Sequence, residues 1–188
     1  MSLENGHELN LSHEVSAEQI VNLFNALFHE SYATALLGGA EEPFYEVFPD
    51  RTARVVFRED YVASALHEVA HWCLAGEQRR QRNDYGYWYI GQRDEIAQAN
   101  FERVEARPQA LEWIFSRALG VRFRVSADNL DLKGHDLMPF RIQVQAEVKR
   151  MLVKGLGARA RQFALSLSKI GQTSADAFCL EQYRELPN

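Results

Sequence analysis

The sequence predicts an α+β fold: one predominantly helical domain with a few short strands. Three observations predict it. Apolar residues recur at helical spacing in several separate windows, each bounded by capping residues or glycine. Two short runs rich in valine and aromatic residues are separated by little more than Pro49-Asp50. No repeat, low-complexity tract or Pro/Ser-rich linker divides the 188 residues. With 46% hydrophobic and 25% charged residues, the chain can bury one sizeable core.

The elements follow in order. Residues 1–16 are expected to be a flexible extension and residues 17–188 a single domain. Ser16 can cap a first helix while Gln19 answers three positions on, and Ile20, Leu23, Phe24, Leu27 and Phe28 form one apolar stripe that should run until Gly38-Gly39 stops it. Residues 44–48 and 53–57 are expected to be strands paired as a hairpin. Asp60 can cap the next helix, which runs to about Gly76 through YVASALHEVAHWCLA. An Arg-rich turn, EQRRQRNDYG, leads to an aromatic strand or ordered loop at 85–90. A helix from about Arg93 to Glu105 should precede a separate one with Pro108 in its first turn, PQALEWIFSRAL, striped by Ala110, Ile114, Phe115 and Ala118 and ended by Gly120. FRVSADNL interrupts with polar residues. A helix over 136–153 stops at Gly155, and further helices are expected near 158–170 and, capped by Ser174, 175–184.

Charge and composition narrow the function classes. No run approaches the roughly 18 apolar residues of a membrane span, and the first residues have neither a basic start nor an apolar signal region, so a cytoplasmic protein is expected. Cys73 and Cys179 cannot make a disulfide framework or a four-cysteine zinc site. A net charge of -5 argues against a general nucleic-acid binder. The charge is unevenly spread: residues 1–50 hold nine acidic and no basic side chains, whereas 137–188 hold eight basic and four acidic. Solvated helix faces account for most such blocks.

The informative motif is His67-Glu68-Val69-Ala70-His71. Imidazoles at i and i+4 project from one helix face about 40° apart and can grip one metal ion, while the glutamate about 100° round can reach a metal-bound water without being a ligand. With six His in 188 residues, chance would place this pattern roughly 0.02 times in such a chain. Ala63, Ala70 and Leu74 share the histidine side, so both rings should face the interior. Two buried rings need partners, and one metal satisfies both. His7, His13, His29 and His135 lack such a context.

With no further histidine nearby, the third ligand should be a carboxylate. Glu102 and Glu105 lie three residues apart in FERVEARPQALEW and share a helix face that can return across the metal helix. Glu105 is preferred because it stands at the element boundary before the Pro108 helix, with Glu102 supporting a ligand or an arginine; Glu112 lies further round.

HEVAHWCLAGEQRR, DYGYWY, VEARPQALEW and SADNL, in this order, resemble the bacterial elongation factor P hydroxylase family. The resemblance spans roughly residues 17–180. It implies a metalloprotease-like scaffold, a mononuclear metal held by two histidines and a carboxylate, and hydroxylation of the lysine of elongation factor P that already bears a β-lysyl group. The ligands so implied are His67, His71 and Glu105, with Glu68 as a catalytic residue in the metal pocket. Fe(II) is then the working metal, dioxygen the oxidant, and the electron donor is not readable from the chain.

Other chemistry fits the same donor set. Two histidines and a carboxylate with open positions suit hydrolytic zinc as well as oxygen-activating iron. The alternatives are therefore a zinc peptidase using Glu68 as general base, and a non-catalytic, metal-stabilised adaptor for a translation factor. For substrate contacts, Tyr85, Tyr87 and Trp88 can wall a tunnel for a long cationic side chain or simply pack a core. Asp128 and Asn129 can bind an ammonium group or cap a turn. Arg79, Arg80 and Arg82 read as solvated helix-end charges. The basic tail, Arg141, Lys149, Arg150, Lys154, Arg159 and Arg161, and the acidic first fifty residues offer docking surfaces of opposite sign for a folded protein substrate.

Overall fold

Ser16 accepts a hydrogen bond from the Gln19 amide at 3.3 Å and its own amide donates to Gln19 Oε1 at 3.0 Å, so the expected capping box starts helix α1, Ala17–Tyr32. The computed structural model in which this is seen describes residues 15–84, 95–126, 136–173 and 175–187. Helix α1 stops earlier than its apolar stripe predicts. Ala33 turns left-handed (φ 48°), and residues 34–40 become strand β1, Thr34–Ala40. The cause is tertiary: Asn25 clamps Leu36 by donating to its carbonyl (3.2 Å) and accepting from its amide (2.8 Å), which holds the chain extended beside the helix. Gly38 thus serves a strand. A Cβ there would lie 2.6 Å from the Phe57 ring, so only glycine lets that ring pack against the strand.

Strands β2, Phe44–Val47, and β3, Ala53–Arg58, form the expected antiparallel hairpin, pairing Phe44 with Val56 and Val47 with Ala53. Asp50 Oδ1 accepts from the Thr52 amide (3.0 Å) and hydroxyl (2.7 Å), closing the turn. Strand β3 is central in the order β1-β3-β2 and runs parallel to β1.

Helix α2, Val62–Leu74, follows β3, but its N-cap is Tyr61 with no side-chain bond, so Asp60 does not cap it. Its buried face is Ala65, Leu66, Val69, Ala70 and Trp72, packed on β3, α1 and α3. Ala63, expected beside the histidines on the interior side, is exposed.

The largest departure is helix α3, Glu95–Leu119, which is continuous through Pro108 instead of two helices. Proline inside a helix forfeits the bond to the carbonyl four residues back and costs ~3 kcal/mol. Burial on both sides of it, Phe101 and Ala106 before and Ala110, Leu111, Ile114 and Phe115 after, outweighs that loss. Glu105 therefore lies inside a helix and not at an element boundary.

Helices α4, Met138–Lys154, and α5, Ala158–Ile170, pack on α3 through Phe140, Val144 and Val148 and through Phe163, Ala164 and Leu167. The last expected helix is instead two 3-10 turns, Ala175–Phe178 and Leu180–Tyr183, separated by extended Cys179. The chain bends there so that the buried Tyr183 hydroxyl can donate to the Ala177 carbonyl at 2.6 Å while its ring meets Trp113 edge-on. The capping role expected of Ser174 lies outside the described residues. One contiguous apolar cluster runs from Ala17 to Tyr183. Among the described residues no helix is long and apolar enough to cross a membrane.

Candidate metal centre

Helix α2 presents His67 and His71 one turn apart, and α3 crosses it so that Glu105 faces both. Their Nε2 atoms are 3.1 Å apart, and Glu105 Oε2 lies 3.5 Å from His67 Nε2 and 3.3 Å from His71 Nε2. Donors at ~2.1 Å from a common ion stand about 3.0 Å apart on one face of an octahedron and about 3.4 Å apart in a tetrahedron. The observed triangle falls on these values, and a single ion fits it. His67, His71 and Glu105 are the set of metal-ligating side chains found together among the described residues. Glu102 is buried one turn away and accepts from Gln98 at 3.0 Å; its carboxylate is not in the triangle.

Glu112 has a role that ligand spacing alone does not reveal. Its Oε2 lies 2.8 Å from His67 Nδ1, so that ring nitrogen donates to the carboxylate and Nε2 is left to face Glu105. Burial disfavours the His67 imidazolium, but the hydrogen bond and charge of Glu112, with the charges of Glu68 and Glu105, outweigh it and push the ring's pKa up to about 10. A metal binding there must displace that proton. Burial also raises the Glu68 and Glu112 carboxyls above their ordinary range, against the lowering effect of the two histidines. The signal for Glu112 was present in the sequence. Gln98, Glu102, Glu105, Gln109, Glu112 and Ser116 recur at spacings of three and four, and all are buried, a polar stripe on a core helix.

The triangle opens on a cavity of about 300 Å³ whose wall includes Glu68, Phe44, Tyr45, Arg79, Asp84 and Pro108. Exposure of the rings is partial, 21% for the His67 side chain and 31% for His71, whereas Glu105 retains 5%. The histidines therefore border a cavity more than they face a sealed interior. At the far end of α2, Arg80 and Arg159 both donate to the Ala75 carbonyl, at 2.9 and 2.6 Å, and the Arg159 guanidinium lies 4.5 Å from the Trp72 ring centre. Arg159 is thus a strut between α5 and the metal helix, and not the free docking charge expected of the basic tail. Tyr85, Tyr87, Trp88, Asp128 and Asn129 lie outside the described residues. Asp84, immediately before the aromatic segment, pairs backbone to backbone with Tyr45 (2.6 and 2.8 Å) at the cavity wall.

A family model described as Elongation factor P hydroxylase matches residues 23–179. The chain belongs to the elongation factor P hydroxylase family. A relative from Haemophilus influenzae named Elongation factor P lysine hydroxylase is 42% identical over 166 residues, covering 87% of this chain and 93% of its own. The family match includes α2 and α3 in full, and with them every residue of the metal-ligating triangle and Glu112.

Proposed function

We propose that this protein is a metal-dependent hydroxylase acting on the lysine of elongation factor P that carries a β-lysyl group, with Fe(II) as metal, dioxygen as oxidant and the cytoplasm as its compartment. The observation that carries the reading is the triangle of two imidazole nitrogens and one carboxylate oxygen, at the edge of a cavity, in a chain of this family. The donor set fits iron: His67, His71 and Glu105 would hold it with three N/O donors, fewer than the four protein ligands that close a structural zinc site. When bound, Fe(II) supplies the redox chemistry by which dioxygen can be activated toward a C–H bond.

The residues of the chain divide the remaining work. His67, His71 and Glu105 hold the metal; Glu112 fixes the His67 tautomer and ring orientation. Glu68 faces the cavity from the same helix, where its burial-raised carboxyl can carry or accept a proton. The cavity, about 300 Å³, gives an entering side chain access to the triangle. Tyr85, Tyr87, Trp88, Asp128 and Asn129 remain our candidates for contacts to the lysyl-lysine chain. A helix bearing the two histidines beside a small sheet, crossed by a glutamate helix, supports the metalloprotease-like reading of the scaffold.

The test is to load the protein with Fe(II) and supply a reductant, dioxygen and lysylated elongation factor P. A gain of one oxygen atom on the modified lysine, dependent on iron, is the expected outcome. Peptide cleavage by a zinc-loaded protein without oxygen gain would replace the hydroxylase with a peptidase; stoichiometric binding without either activity would leave an adaptor.

A further inference from the structure

The charges lining the cavity are sorted by depth. Glu105 is buried and Glu68 stands beside it, whereas Arg79, with 57% of its side chain exposed, the half-buried Arg80 and the exposed Arg107 line the same cavity from two different elements. Arg103, one turn from Arg107 on α3, and Arg82, beyond the turn that carries Arg79, are also exposed. Among the described residues that line the cavity, Arg79, Arg80 and Arg107 outnumber Asp84, which pairs with Arg79 at 2.8 Å, while Glu68 and Glu105 make the floor acidic. A lone cationic side chain would be drawn by the floor but repelled by the arginines it must pass.

We infer that the arginine rim of the cavity, centred on Arg107 and extended along the surface by Arg103, is a docking surface for an acidic protein surface flanking the side chain that enters. The inference rests on the proposed hydroxylase reading and adds to it the chemistry of the partner's surroundings: carboxylates beside the modified lysine, close enough to meet guanidinium groups when the chain is threaded. Such an arrangement admits a lysyl-lysine chain presented by a folded acidic partner and disfavours free lysine or a neutral peptide, which bring the cation without its escort. Rim charges of this kind act on encounter and on salt dependence more than on the chemical step.

The experiment measures binding of intact lysylated elongation factor P to the full-length metal-loaded protein under anaerobic conditions, so that affinity is read without turnover. Arg107→Glu and the Arg103→Glu/Arg107→Glu pair are compared with Arg107→Lys at low and high salt, with metal content checked for each. Charge reversal should weaken binding about tenfold at low salt, Arg107→Lys should retain most of it, and the difference should shrink as salt rises. A short neutral peptide carrying the same lysyl-lysine should lose less on charge reversal than the intact factor. Unchanged affinity of Arg107→Glu for the factor, or an equal loss for factor and peptide, overturns the rim. Tighter binding of an RNA oligonucleotide than of the factor, abolished by the same reversal, overturns the protein partner. If oxygen is added and wild type hydroxylates the factor while Arg107→Glu binds normally, the rim alone fails. A factor that neither binds nor gains oxygen removes the hydroxylase reading as well.

Discussion

Helix α3 is buried along two seams that look alike by accessibility and differ in everything else. One carries Glu105, Gln109 and Glu112, each under 8% exposed; the other carries Ala110, Ile114, Phe115 and Ala118, all fully buried. The apolar seam holds α5 through contacts such as Phe115 on Phe163, with ring centres 5.0 Å apart. The polar seam faces α2, and two of its carboxylates meet the histidines. Burying ionisable groups costs free energy unless they are paired, so the polar seam is a place where the fold gives up stability to hold chemistry. Substitutions in the two seams should therefore separate metal binding from folding.

The largest effect is expected at the histidines. His67→Ala and His71→Ala should each abolish metal binding and activity while leaving most of the helical circular dichroism, because the apolar cluster from Ala17 to Tyr183 does not include them. Glu105→Ala should do the same, and Glu102→Ala should not. Elemental analysis of the purified variants decides this: full metal in either histidine variant, or metal lost from Glu102→Ala in place of Glu105→Ala, would reverse the ligand assignment. The opposite behaviour is expected from Phe115→Ala, which opens a cavity against Phe163 and should cost about 3–5 kcal/mol of stability in denaturant titration. Its folded fraction should bind metal at wild-type stoichiometry; loss of metal without loss of stability would show that the seams are not separable.

Much of this contrast was legible in the sequence, and the reasons for the gaps are physical. The i, i+4 histidines needed only helix geometry, and the capping box of Ser16 and Gln19 needed only local chemistry, so both emerged correctly. The end of α1 did not, since the Asn25 clamp on Leu36 joins residues eleven apart and no local pattern encodes it. Pro108 marks a helix start by local chemistry because its cost inside a helix is real; what overrides that cost is burial supplied by other helices. Glu112 lies too far round the helix to be expected as a ligand. It reaches the site through the back nitrogen of His67, and a search for ligands alone does not look for that role.

A smaller effect sharpens the polar seam itself. Glu112→Ala removes the acceptor of His67 Nδ1 and should weaken metal binding by about 10–100-fold, whereas Glu112→Gln, which keeps an acceptor oxygen, should lose less. The readout is metal affinity by competition with a chelator, beside the ligand-field spectrum of a cobalt-substituted protein. A purely structural Glu112 would lower stability in both variants and leave the affinity and spectrum of the folded protein as they were.

The smallest effect tests whether the polar seam is functional throughout. Gln109 lies between Glu105 and Glu112 on the same face, yet its side chain is used up by the loop after α3: Nε2 donates to the Ser126 carbonyl at 2.6 Å and Oε1 accepts from the Ser126 amide at 3.1 Å. Gln109→Leu keeps much of the volume but leaves a part-buried amide and carbonyl without these partners, which should cost about 1–2 kcal/mol because an unmade buried hydrogen bond is dearer than a made one is favourable. Metal affinity should stay at the wild-type value, since neither contact reaches the histidines. Thermal denaturation and chelator competition on the same sample give both numbers. A loss of affinity comparable to Glu112→Ala would mean that the loop anchored by Ser126 and the metal are held by one cooperative network, and that the seam acts as a unit and not residue by residue.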